Sequence, residues 1–145
     1  MDRTALLRTT YRVNAVATFA CAAALLGAGH LLAPLFAVPV AFVRGLGAFF
    51  VPFAAWIWAI SRRPQLYWGE ALAAGILDEG YALASFLLLA EFWPRMTPEL
   101  RFAVAFVAAP VAIFATVELS SALRLRSVQA NTAGACEAAR GASAT

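Results

Sequence analysis

YWGEALAAGILDEGYALASFLLLAEF, residues 67–92, sets two adjacent acids, Asp78 and Glu79, halfway along an apolar stretch long enough to cross a bilayer. A helix rises about 1.5 Å per residue, so Asp78 stands roughly 15 Å in from Tyr67, near a membrane midplane. Ionisable groups at that depth are expensive and turn towards a bundle interior, a wet cavity or a polar partner. Each acid costs about 2.5–3.5 kcal/mol at a helix centre, and the large apolar residues between Glu70 and Ala90 together return only roughly 2–5 kcal/mol. The segment is a poor inserter alone and is expected to depend on neighbouring helices.

Helical spacing shows how it docks. Ala71, Ala74, Gly75, Asp78, Ala82 and Ser85 fall on one stripe. Small residues let helix backbones approach closely in a membrane, and polar ones bridge them. Asp78 is therefore expected to point into a packed seam. Glu79, turned by ~100°, shares a side with Ile76, Leu83 and Phe86 and needs a different partner, a cavity or a proton.

The rest of the chain fits the same solvent. Of 145 residues, 63% are hydrophobic and 13% charged, against about 45–50% and about 25% for a soluble globular domain. Three further apolar stretches accompany residues 67–92: about 14–35, 40–60 and 98–123. Pro39 can open the 40–60 helix, and Thr97 can cap the 98–123 helix with Glu99 in its first turn. Backbone groups in lipid must pair within their own segment, and short loops favour antiparallel neighbours. The expected fold is all-α: a membrane-spanning antiparallel four-helix bundle over residues 1–126, followed by a disordered cytoplasmic tail over 127–145, rich in Ala, Ser, Thr and Gly. A signal peptide is the rival reading of the first stretch, but its apolar run continues through Leu31, Leu32 and Leu35, so a retained helix is expected.

All eleven basic residues are Arg, which together with the abundant Ala suggests a GC-rich bacterial genome. Arg3, Arg8, Arg12, Arg62, Arg63, Arg124 and Arg126 flank one side of the proposed crossings, and Arg44, Arg95 and Arg101 the other. The positive-inside rule then puts both termini in the cytoplasm and the protein in the bacterial inner membrane. Tyr11, Trp58, Tyr67 and Trp68 would form one interfacial belt, Phe92 and Trp93 the other. Scattered Arg residues form no nucleic-acid patch.

The intramembrane polar set is Arg12, Asn14, Asp78, Glu79 and Glu118. Arg12 with Glu118 is the first-choice ion pair, and Asn14 is placed to bridge Asp78 or Glu118. Pro52 and Pro110 fall in mid-helix, where kinks are expected. Catalysis finds no support: there is no phosphate loop, no zinc spacing and no converging Ser–His–acid set. One His, His30, and two Cys at different depths, Cys21 and Cys136, form no metal cluster and no expected disulfide.

Several runs carry a family likeness: Arg12–Ala15, Arg44–Gly47, Pro52–Trp58, Arg62–Pro64, Ala84–Leu89, Met96–Pro98 and Val117–Ser120. On them the chain resembles a group of small bacterial four-helix membrane proteins, with a looser, architectural likeness to DoxX-type proteins. In that group an amide or acid begins the first helix, as Asn14 does here, and Asn and Trp stand where this chain has Asp78 and Tyr81. The resemblance implies a fold and a compartment, and no activity. The functional expectation is a non-enzymatic scaffold or accessory subunit with no cofactor. Its partners would be the bilayer and a membrane protein or a second copy. The alternative is a proton-coupled carrier or channel using the intramembrane acids. A third reading is a redox subunit associated with quinone or haem.

Overall fold

A computed structural model describes the backbone from Arg3 to Ala142 and the side chains from Thr4 to Asn131. It is helical throughout, with no strand among the described residues: α1 (Arg3–Gly27), α2 (Gly29–Phe36), α3 (Val40–Ser61), α4 (Trp68–Phe92), a 3₁₀ turn (Trp93–Arg95) and α5 (Pro98–Ala142). Three helical stretches, Val40–Ser61, Trp68–Arg95 and Pro98–Asn131, are long and apolar enough to cross a membrane, and α1 with α2 passes that test only as a pair. Large apolar side chains stand outward along these helices: Phe49 is 65% exposed, Phe102 71% and Ile113 64%. Such an apolar exterior suits a multi-pass membrane protein.

The first stretch differs from the expected single helix over 14–35. The helix begins at Arg3, because Leu7, Thr10, Tyr11, Asn14 and Ala15 form a buried face despite the arginines between them. It then breaks at Ala28, and α2 leaves at 86°. Gly27 and Gly29 flank the break, and both are weak helix formers. Gly29 is also where the turned chain meets α3, since a Cβ there would lie 3.1 Å from Arg44 Cγ. Beyond α2, Ala37 takes the left-handed conformation (φ 55°), and the Val38 N–H closes on the Ala33 carbonyl at 3.0 Å. That is a Schellman-type stop.

The other boundaries follow the sequence closely. Pro39 stands at the N-cap position of α3 and Tyr67 at that of α4, both in extended conformation and neither with a side-chain capping bond. Thr97 Oγ1 accepts the Leu100 N–H at 3.2 Å to cap α5, and it donates to the Leu35 carbonyl at 3.0 Å. Both α3 and α5 run on through Pro52 and Pro110. Beyond the expected end at Leu123, α5 continues through Ala142. The Ala-rich sequence there carries high helix propensity. Gln129 Nε2 ties this extension back to the Leu66 carbonyl at 3.1 Å.

The helices pair as α1 on α3 and α4 on α5, and the two pairs meet chiefly through α1 and α5. Glycine sets both close approaches. A Cβ at Gly47 would lie 2.9 Å from Leu25 Cβ, and one at Gly75 2.8 Å from Leu119 Cγ. The core lies where the N-terminal half of α1, the end of α3 and the start of α4 converge: Leu7, Tyr11, Ala15, Ile57, Ile60, Leu66, Ala71, Ala74 and Ala122. Tyr11, expected in an interfacial belt, is fully buried there. At this end Arg8 donates to the carbonyls of Ser61 (3.2 Å), Arg63 and Pro64 (2.6 Å), collecting acceptors that the end of α3 leaves free. Arg63 pairs with Glu70, and Arg126 lies 5.5 Å over the Trp68 ring.

Candidate functional site: a buried amide between two acids

The small-residue stripe on α4 does what its spacing predicts. Ala71, Ala74, Gly75, Asp78, Ala82 and Ser85 are all buried, and with them Leu89. Because Gly75 and the alanines bring α5 close, Asp78 and Glu118 reach the same depth, and Asn14 of α1 enters between them. Its Nδ2 donates to Asp78 Oδ2 at 2.5 Å and to Glu118 Oε1 at 3.3 Å. Its Oδ1 accepts from Thr18 Oγ1 at 3.3 Å, one turn further along α1. A primary amide has two N–H donors, and Asn14 spends both in joining α1 to α4 and α5.

The expected polar set therefore divides. Asn14, Asp78 and Glu118 are brought together, each 3% exposed or less. Arg12 is not with them. It lies on the exposed side of α1, and the ion pair expected with Glu118 is corrected: among the described residues no basic side chain lies within ion-pair distance of Asp78 or Glu118. The reason is angular, since two residues along a helix is about 200°, so Arg12 and Asn14 cannot face one neighbour. Glu79 is likewise outside the cluster, on the exposed side of α4. Two polar atoms at this level are buried without a hydrogen-bond partner, Glu118 Oε2 and the Tyr11 hydroxyl.

Beside the cluster the helix pairs stand apart. A cavity of about 410 Å³ lies between α1, α3, α4 and α5, ending on Asn14, Thr18 and Asp78 and walled by Phe50, Phe53, Tyr81 and Phe114. A second, of about 400 Å³, adjoins it, and Cys21, Phe50, Tyr81 and Val107 line both. The Phe50 and Tyr81 rings meet edge to face at 5.7 Å between the two. Cys21 is a free thiol, and Cys136 lies outside the described side chains. His30 is exposed. Among the described residues no three His, Cys, Asp or Glu side chains are grouped to hold a metal.

Sequence reasoning passed over Thr18, Arg8 and Tyr81. Thr18 was within reach of the sequence, being four residues from Asn14 on one helical face. Arg8 counted only as a topology signal, because its acceptors are carbonyls whose position depends on how α3 ends. Family models, curated proteins and solved structures were compared with the chain, and none matches.

Proposed function

We propose that the chain is a non-enzymatic protein of the bacterial inner membrane that acts as a scaffold or accessory subunit for a membrane partner or a second copy. In this reading it crosses four times as an antiparallel bundle, α1 with α2 serving as one bent crossing, and both termini are cytoplasmic. The observation that carries it is the Asn14 amide, whose two N–H donors tie α1 to Asp78 of α4 and to Glu118 of α5. An amide that donates to two acids on two other helices is a registry device. Polar groups fixed this way set which helices meet and at what height, as a scaffold requires. The test is purification in mild detergent followed by mass spectrometry of co-purifying proteins, repeated with Asp78→Asn. A stoichiometric partner retained by the variant supports the scaffold. Its absence from both preparations, with the chain running as a lone monomer, refutes it.

A second reading, a proton-coupled carrier, is favoured by one feature: a cavity that ends on Asp78. Two carboxyl groups on one amide can pass a proton between them. That reading requires Asp78→Asn to abolish pH-driven flux in vesicles while leaving the fold intact.

A further inference from the structure

From the paired cavities and their acidic end, we propose that this protein binds a lipophilic organic cation, its charge beside Asp78 and its apolar body among the rings beyond. The site stands whether the protein is a scaffold or a carrier, because it concerns binding and not movement.

Four observations converge. Each cavity, about 410 and about 400 Å³, is of ligand size, and the two share a wall. No basic side chain lines either one. The polar end carries an excess of acid: Asp78 lines the cavity, Glu118 is joined to it through Asn14, and Glu118 Oε2 is fully buried without a partner. Asn14 has no donor left to offer, so this end suits a positive group and is hostile to an anion. The walls are aromatic, with Phe49, Phe50, Phe53, Tyr81, Phe106 and Phe114 around one volume. Ring faces attract cations, most strongly where water is excluded. Access comes from the apolar exterior, because Phe49 (65% exposed), Leu77 (52%) and Phe106 (67%) stand at the rim.

A neutral amphiphile would satisfy the rings and leave the acids unmatched, and a fatty acid would add a third carboxyl to two. The cation alone answers both halves of the site.

The experiment uses two probes of one shape and opposite charge, tetraphenylphosphonium and tetraphenylborate. They are titrated into the full chain in zwitterionic-lipid nanodiscs, with empty nanodiscs subtracted. Saturable binding of the phosphonium near one per chain, at least about tenfold tighter than the borate, is the expected result. Equal affinity, or preference for the borate, overturns the proposal. Ala17→Phe, which projects a ring into the cavity from α1, should abolish phosphonium binding while helix content is unchanged; full binding by this variant also overturns it. Asp78→Asn should weaken phosphonium binding about tenfold without strengthening the borate to match. Should that substitution unfold the chain, Ala17→Phe and the charge comparison decide alone.

Discussion

Asn14 matters because a side-chain amide is the smallest group that can donate to two acids and accept from a hydroxyl at once. Asn14→Leu keeps the branched shape and removes every donor, leaving both carboxyl groups short of a partner. We expect a loss of about 2–5 kcal/mol, read as a lower unfolding midpoint in detergent. Tyr11→Phe runs the other way, since the hydroxyl it deletes is buried and unpartnered. That change should be neutral or stabilising by about 1–3 kcal/mol, and a clear loss of stability would show that the hydroxyl has a partner in solution. Arg8 and Arg12 divide similarly. Arg8→Ala should loosen the end of α3, measurable as faster proteolysis near residues 61–64, whereas Arg12→Ala should leave it unchanged.

At the scale of elements, one helix carries glycines with opposite duties. Gly75 faces α5, where an added Cβ would meet Leu119 Cγ at 2.8 Å and its backbone nitrogen at 3.1 Å. Gly80 has nothing within 4 Å of that position. Gly75→Ala should therefore cost about 1–3 kcal/mol through overpacking against backbone. Gly80→Ala should gain up to ~1 kcal/mol from helix propensity. Thermal unfolding of the two variants side by side checks the contrast, and equal effects would contradict the α4–α5 approach. The bend at Ala28 belongs to this scale too. Hydropathy sees an unbroken apolar run from 14 to 35, and it is blind to a break of one residue between two glycines. The α3 and α4 boundaries were legible because Pro39 and the Arg62–Pro64 turn punctuate the chain, and the α5 start because Thr97 is a capping residue.

For the whole molecule, α1–α3 and α4–α5 are two units joined through Asn14, through the core in which Leu7, Tyr11, Ile57 and Ile60 meet Ala71, Ala74 and Ala122, and through contacts at the ends, including Thr97 to the Leu35 carbonyl and Arg63 with Glu70. The first unit closes on itself through Arg8. Co-expressed fragments 1–64 and 65–145 should therefore reassemble in a membrane and co-purify. Introducing Asn14→Leu into the first fragment should cut recovery of the second several-fold. Undiminished recovery would mean that the amide does not join the units.

Composition and period alone determined that this chain is helical, that it is apolar beyond what water tolerates, and that Asp78 lies on the inward stripe of α4. Those properties are local: they depend on residues a few positions apart and on the solvent each segment needs. Which acid meets which donor was a tertiary matter. Asp78 and Glu118 lie 64 and 104 positions from the Asn14 amide, and the Gly75 approach with the packing of α1 brings them within hydrogen-bond reach. The aromatic cavity between the helix pairs was decided the same way, by how far apart packed helices stand, whereas the exclusion of Arg12 and Glu79 follows from helix period once Asn14 and Asp78 face inward.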